Sequence, residues 1–326
     1  MKVFFTVMWL LVAISSGQAQ AVLIHGTATT LEGYRVQLVV NDTLRRLWRT
    51  VPDQPSLSPE QEELVEKVTQ QDFALRQAGH YVLETDSAGH FRVSARPQDS
   101  VTFTAYGHVS QTLGVRDLLR QPAVQVRLLP RPCQEYVPCQ EAKPAHFVFI
   151  GRKQTVARAQ QPNYCNRFSM DGKFTARYQV LENIYNTLPD TVVSFAAYDH
   201  YGWPGFSRHE TVLLFVSRYC GDYIQEKYQY YPLYRTTDGR WAAPVDTDDL
   251  THPMARKGPK PTKLTFASPV EVDVTKLDAE QRKEYYPAPY YRVEGQKAIA
   301  VYGNYVDELL QIKKSTVLKA RGIKLK

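Results

Sequence analysis

The chain has 326 residues, 43% hydrophobic and 22% charged, which is enough apolar material for a sizeable core and too much chain for one ordinary small domain. Its formal net charge is +7, with much of the excess in Lys313, Lys314, Lys319, Arg321, Lys324 and Lys326. No helix-turn-helix, finger or RNA-binding pattern accompanies that charge, so it reads as a solvated helix face with a basic tail, and nucleic acid is not an expected partner.

In chain order, residues 1–21 read as a signal peptide. Lys2 supplies the positive start, Val3 to Ile14 an apolar run too short to span a bilayer, and Ala19-Gln20-Ala21 small residues at a cleavage point. No cysteine follows that run, and no later stretch approaches the roughly 18 apolar residues of a membrane helix. The expected product is exported: periplasmic, outer-membrane-associated or released, with no transmembrane segment in the mature chain.

Residues 22–44 carry two alternating runs, Val22 to Gly26 and Tyr34 to Val40, expected as strands joined in a hairpin or through a short loop. Ser58, Pro59 and Gln61 then make a capping-box start, and Leu64, Val68 and Leu75 keep helical spacing, which predicts a helical insertion in a β domain. Strand periodicity returns over His80 to Glu84, His90 to Ala95, Ser100 to Tyr106 and Val124 to Leu129. The turns Asp86-Ser87-Ala88-Gly89 and Arg96-Pro97-Gln98-Asp99 separate them.

Two of these blocks, Thr85 to Val93 and Asp99 to His108, in that order and at that separation, resemble the carboxypeptidase regulatory-like domain, a small transthyretin-like β-sandwich. The chain departs from that pattern at His108, where an aromatic ring of tyrosine or phenylalanine is usual, and in its helical insertion. The resemblance covers residues 22–130. It implies a non-catalytic module at the front of secreted or outer-membrane proteins of Gram-negative bacteria.

Pro130, Pro132, Pro138 and Pro144 mark residues 131–146 as a linker. After the apolar run Ala145 to Ile150, Asp171 can cap a helix whose Phe174, Tyr178, Leu181 and Tyr185 stand four, three and four apart. Three long runs follow, Thr191 to Tyr198, Glu210 to Tyr219 and Tyr223 to Arg235, the last two joined by Cys220-Gly221-Asp222 as a hairpin. A helix followed by a meander predicts an α+β roll over residues 147–243. The fold expected is therefore mixed: an N-terminal β-sandwich followed by an α+β roll. Residues 244–326 hold only short runs, among them Val270 to Val274, Ala298 to Tyr302 and a last helix after Asn304, and read as a C-terminal extension packed on the roll.

Four cysteines, Cys133, Cys139, Cys165 and Cys220, in an exported chain point to two disulfides, with Cys133–Cys139 and Cys165–Cys220 the preferred pairs. A zinc site would need cysteines two to four residues apart, and that spacing is absent. No cofactor and no metal are expected.

The densest aromatic and titratable cluster is Tyr198, Asp199, His200, Tyr201, Trp203 and, a little later, His209. With Glu210 these groups could serve a secreted hydrolase, but Leu213 stands where a zinc-peptidase helix would need its second histidine. No nucleophile elbow or phosphate loop is present either. The preferred expectation is a non-catalytic binding or structural module of the envelope, and the rings could stack on a carbohydrate or grip a peptide or envelope protein. The bland alternative, that the rings fill a core, carries more weight in general because aromatics dominate interiors.

Overall fold

The computed structural model describes residues 20–141, 143–251 and 258–325. The apolar leader up to residue 19, residue 142 of the expected linker, residues 252–257 of the C-terminal extension and Lys326 of the basic tail lie outside them. The chain divides into two compact units, with the boundary between Pro132 and Cys133. No described helix is long and apolar enough to cross a membrane.

The first unit is a β-sandwich. One sheet has the order β4-β1-β7, built from β1 (Val22–Thr29), β4 (His90–Ala95) and β7 (Val124–Arg127). The other has the order β3-β2-β5-β6, from β2 (Gln37–Val40), β3 (Val82–Glu84), β5 (Ser100–Thr104) and β6 (Gln111–Gly114). Strict alternation puts Phe91, Val93 and Ala95 of β4 inward, against Leu38, Val40, Val101 and Phe103 of the opposite sheet. β1 and β2 are joined through the short loop 30–36, the second of the two expected connections, and not as a hairpin: Ile24 and Ala28 of β1 face Leu38 and Val40 of β2 from different sheets, while Val39 packs on the other side with Leu44 and Val82.

Between β2 and β3 come α1 (Thr43–Trp48) and the inserted α2 (Pro59–Ala78). The expected capping box on α2 is present, with the Ser58 and Gln61 side chains each accepting from the other's backbone N–H. A short α3 (Val115–Leu119) adds Val115 and Leu118 to the core.

The second unit is organised by a closed five-stranded barrel: β8 (Ala145–Arg158), β9 (Gly172–Tyr185), β10 (Val192–Asp199), β11 (Thr211–Tyr219) and β12 (Asp222–Pro232), in the order β10-β12-β11-β8-β9. All neighbours are antiparallel except β10 and β12, which run parallel at Ala196 and Ile224. β8 is long enough to bend across the barrel, pairing with β11 through its first half and β9 along most of its length. A meander of three strands, with the fifth inserted beside the third, is the Greek-key topology of OB-fold barrels.

Here the expected α+β roll is corrected. Residues 172–185 are strand β9, not a helix, because Phe174, Ala176 and Tyr178 alternate with Thr175, Arg177 and Gln179 and the backbone is shared between two neighbours. The same tyrosine and phenylalanine satisfy a spacing of four in either geometry. Their rings fill the barrel with Phe147, Phe149, Phe195 and Val212.

The rest of the chain packs on this barrel and, beyond what its short runs suggest, also has a core of its own. β13 (Tyr234–Arg235), β14 (Trp241–Pro244), β15 (Thr262–Lys263) and β19 (Tyr302–Tyr305) form a sheet in the order β13-β14-β19-β15. β16 (Glu271–Asp273), β17 (Tyr291–Glu294) and β18 (Lys297–Ala300) form another, in the order β16-β18-β17. Val245, Phe266, Val270, Val274 and Tyr291 are buried together there. Two short helices, α4 (Thr247–Thr251) and α5 (Ala279–Tyr285), precede α6 (Val306–Ser315) and α7 (Val317–Ala320). Leu309 and Leu318 of the last two cover the outer barrel residues Val148, Ile150, Leu213 and Phe215.

Candidate functional site

The end of the barrel where β9 begins and β10 finishes gathers most of the residues singled out in the sequence. Asp199 is buried, and its Oδ1 accepts the Tyr201 N–H at 2.8 Å. That turn reverses the chain and throws His200 and Tyr201 outward. Trp203 goes the other way: its ring packs on Phe174 at 5.1 Å, with the Arg158 guanidinium over both rings. A single 3₁₀ turn, Gly205–Arg208, drops Phe206 into the barrel against Tyr178 and Phe195, each at 5.9 Å. Trp203 and Phe206 are thus plugs, and Asp199 is the brace of a turn.

Tyr201 is 85% exposed, and its ring is nearly parallel to that of Tyr228, with centroids 6.3 Å apart and planes 30° apart. His200 meets Tyr201 edge-on at 5.0 Å. Tyr228 is presented by a bulge: Leu214 pairs with Tyr230 and Val216 with Gln225, so residues 226–229 of β12 face Phe215 alone. Its φ is +67°, a conformation that a residue carrying a bulky ring rarely adopts. Arg321, just past α7, holds the bulge by donating to the Lys227 carbonyl at 2.8 Å. Inside it Gln225 donates to the Gln229 carbonyl at 2.9 Å, while the buried Gln229 Oε1 receives no hydrogen bond from the described residues.

Polar groups border the two rings. The Lys227 ammonium donates to Asp171 Oδ2 at 2.7 Å, and His200 Nδ1 stands 3.6 Å from Asp171 Oδ1. Partial burial works against the Lys227 charge, but hydrogen bonds to Asp171 and Tyr228 outweigh it and push its pKa up. The resulting surface offers an ammonium, a carboxylate and an imidazole around an exposed aromatic platform.

His209 is elsewhere. It ends the 3₁₀ turn, lies against Tyr230 at 6.0 Å, and is pushed toward the neutral form by burial and by the nearby charges of Arg208 and Lys153. The two histidines are therefore not brought together: His200 faces a carboxylate in the open, and His209 is half-buried among cations.

Tyr198 points outward from β10 beside Lys173 of β9. Burial first, then the neighbouring Tyr164, raise its pKa. Tyr164 packs edge-on against Tyr136 at 5.1 Å, and Arg167 lies over the Tyr136 ring at 4.1 Å. Tyr136 belongs to residues 133–141, expected as part of a linker, which form a strap on the barrel. Cys133 is bonded to Cys165 in the β8–β9 loop and Cys139 to Cys220 in the β11–β12 turn. Both expected pairings are thereby corrected. Cys133 and Cys139 sit at two ends of an extended strap and each reaches a different loop. Asn166 fixes its centre by bonding the Tyr136 backbone in both directions, at 2.8 and 3.1 Å. Cys139, Glu141 and Cys220 are the one metal-sized group among the described residues, but the two sulfurs are joined to each other.

No known family, no functionally characterised protein and no solved structure matches the chain. The sequence pointed to His200 and Tyr201 but missed Lys227 and the role of Asp171, which had read as a helix cap. Their one signal was the polar Gln225-Glu226-Lys227 interrupting an otherwise aromatic strand.

Proposed function

We propose that this is an exported, non-catalytic module of the bacterial envelope that binds a saccharide chain on the Tyr201–Tyr228 platform. The observation that carries the proposal is the bulge in β12. It accepts two local costs, a tyrosine at φ +67° and a buried acceptor without a donor among the described residues, and what they secure is an exposed ring beside Tyr201. Flat rings give a sugar face a large contact at little entropic cost, and Asp171, Lys227 and His200 supply directional partners for hydroxyls. Five-stranded Greek-key barrels of this kind bind oligosaccharides and oligonucleotides, an analogy at the level of fold.

Export is supported by two disulfides, which form and persist in oxidising compartments, and by the leader-like first 21 residues. The seven-stranded sandwich of the first unit supports its assignment as a carboxypeptidase regulatory-like domain. A hydrolase finds no support in the separated histidines, neither of which lies within hydrogen-bonding distance of a carboxylate oxygen among the described residues.

Affinity electrophoresis of the mature chain through gels containing plant and bacterial polysaccharides tests the platform. Retardation is expected in at least one gel, weakened tenfold or more by Tyr201→Ala, about 1.4 kcal/mol of binding. Free migration in every gel, or retardation that Tyr201→Ala leaves intact, would refute the assignment.

A further inference from the structure

The platform is the first row of a longer sheet face. Alternation along β9 puts Asp171, Lys173, Thr175, Arg177 and Gln179 on the outer side. The antiparallel register sets Tyr198 beside Lys173, Ala196 beside Thr175 and Ser194 beside Arg177. On the other flank β8 adds Ala157 beside Thr175, Thr155 beside Arg177 and Arg152 beside Gln179. Small residues, Thr175, Ala196, Ser194, Ala157 and Thr155, make up the middle of this face, which spans about 27 Å from Asp171 to Gln179 at 3.4 Å per residue. Past Gln179 the strand runs under the C-terminal helices, where Leu181 and Ile184 pack.

Three cations stand on that face, Lys173, Arg177 and Arg152, and none is in an ion pair with a described carboxylate. The acid within the face, Asp171, is neutralised by Lys227. Asp222 near Tyr198 and Asp190 past the last row lie at its borders. Three like charges on one surface, with Arg177 and Arg152 in adjacent rows, make a positive field that attracts a ligand of opposite sign.

We infer that the saccharide chain is acidic, a uronic-acid-type polymer whose carboxylates meet Lys173, Arg177 and Arg152 while one sugar stacks on the platform. This rests on the saccharide-binding assignment above. Arginine suits the role because its planar fork accepts a carboxylate through two parallel N–H donors. A nucleic acid would satisfy the same charges, but the two disulfides fit an exported chain, which seldom meets nucleic acid.

The test compares polygalacturonate with its methyl ester, the same backbone with its charge removed, by titration calorimetry on the mature chain at 50 and 500 mM NaCl. The free acid is expected to bind at least tenfold tighter than the ester at low salt, with the preference collapsing at high salt. Arg152→Glu/Arg177→Glu should abolish the preference and Arg152→Gln/Arg177→Gln reduce it, each by weakening the acid more than the ester, whereas Tyr201→Ala weakens both ligands to a similar degree. Equal affinity for acid and ester overturns the charge inference and leaves the platform standing. Failure of both ligands to bind overturns the inference and counts against the platform as well. Tighter binding of an oligothymidylate than of polygalacturonate overturns it in favour of nucleic acid.

Discussion

Tyr228 sits where glycine is the easy choice. A left-handed backbone costs a bulky side chain of order 1–3 kcal/mol, and here the ring recovers little of it by burial because it is 43% exposed. Its packing partners are Tyr201 and the Lys227 ammonium, 5.0 Å from the ring centroid, both at the surface. Tyr228→Gly should therefore stabilise the protein by about 1 kcal/mol, after glycine's own entropic penalty, while removing half of the platform. Thermal unfolding followed by circular dichroism should show a Tm a few degrees higher, and the same variant should lose retardation in polysaccharide gels. A variant that is less stable than the parent would mean that Tyr228 contributes to folding, and the strain argument for function would fail with it.

At the scale of elements, the docking of α6 on the barrel turns on one buried charge. Lys313 is almost inaccessible; its ammonium lies 3.1 Å from Asp249 Oδ1 and 4.5 Å over the Tyr231 ring, and the Tyr231 hydroxyl donates to the other Asp249 oxygen. Removing one member of a buried pair strands the other, so Lys313→Met should cost roughly 3 kcal/mol in urea unfolding, whereas Lys313→Met with Asp249→Leu should recover most of it. A single variant as stable as the parent would show that the pair is solvated. None of this was legible in the sequence, where Lys313 read as part of a solvated basic face. The strands of the sandwich were legible, because His90 to Ala95 alternates without exception and buries every second residue. β9 was not. Phe174 and Tyr178 are four apart in a strand as in a helix, and the small Ala176 between them carries too little apolar weight to reveal period two. The candidate site was legible in its loop, where Asp199 to Phe206 concentrates turn residues and rings, but not in its bulge, since a bulge is a mismatch between two strands and cannot be seen in either one.

For the whole molecule, the two disulfides lie entirely in the second unit, and the first has no cysteine. Each unit also has its own apolar core, Ile24 to Leu128 in one and the barrel with its C-terminal cover in the other. The bonds close stretches of 32 and 81 residues. Chain entropy alone assigns such loops about 4 kcal/mol each, of which natural disulfides commonly deliver 2–4. The strap they anchor buries little besides the flank of Tyr136, so once the sulfurs part it is held by a few hydrogen bonds, those of Asn166 to the Tyr136 backbone, of the Gln134 backbone with Asn163 and Cys165 and of Glu141 with the Cys220 N–H, and by the Tyr136 ring contacts. Calorimetry of the mature chain should then resolve two transitions. A phosphine reductant should lower one by roughly 10–25 °C and leave the other where it was, because unfolded-state entropy is released only in the unit that contained the loops. Two transitions that fall together would show that the units unfold as one body, and two that stay put would show that the strap contributes nothing to holding the barrel.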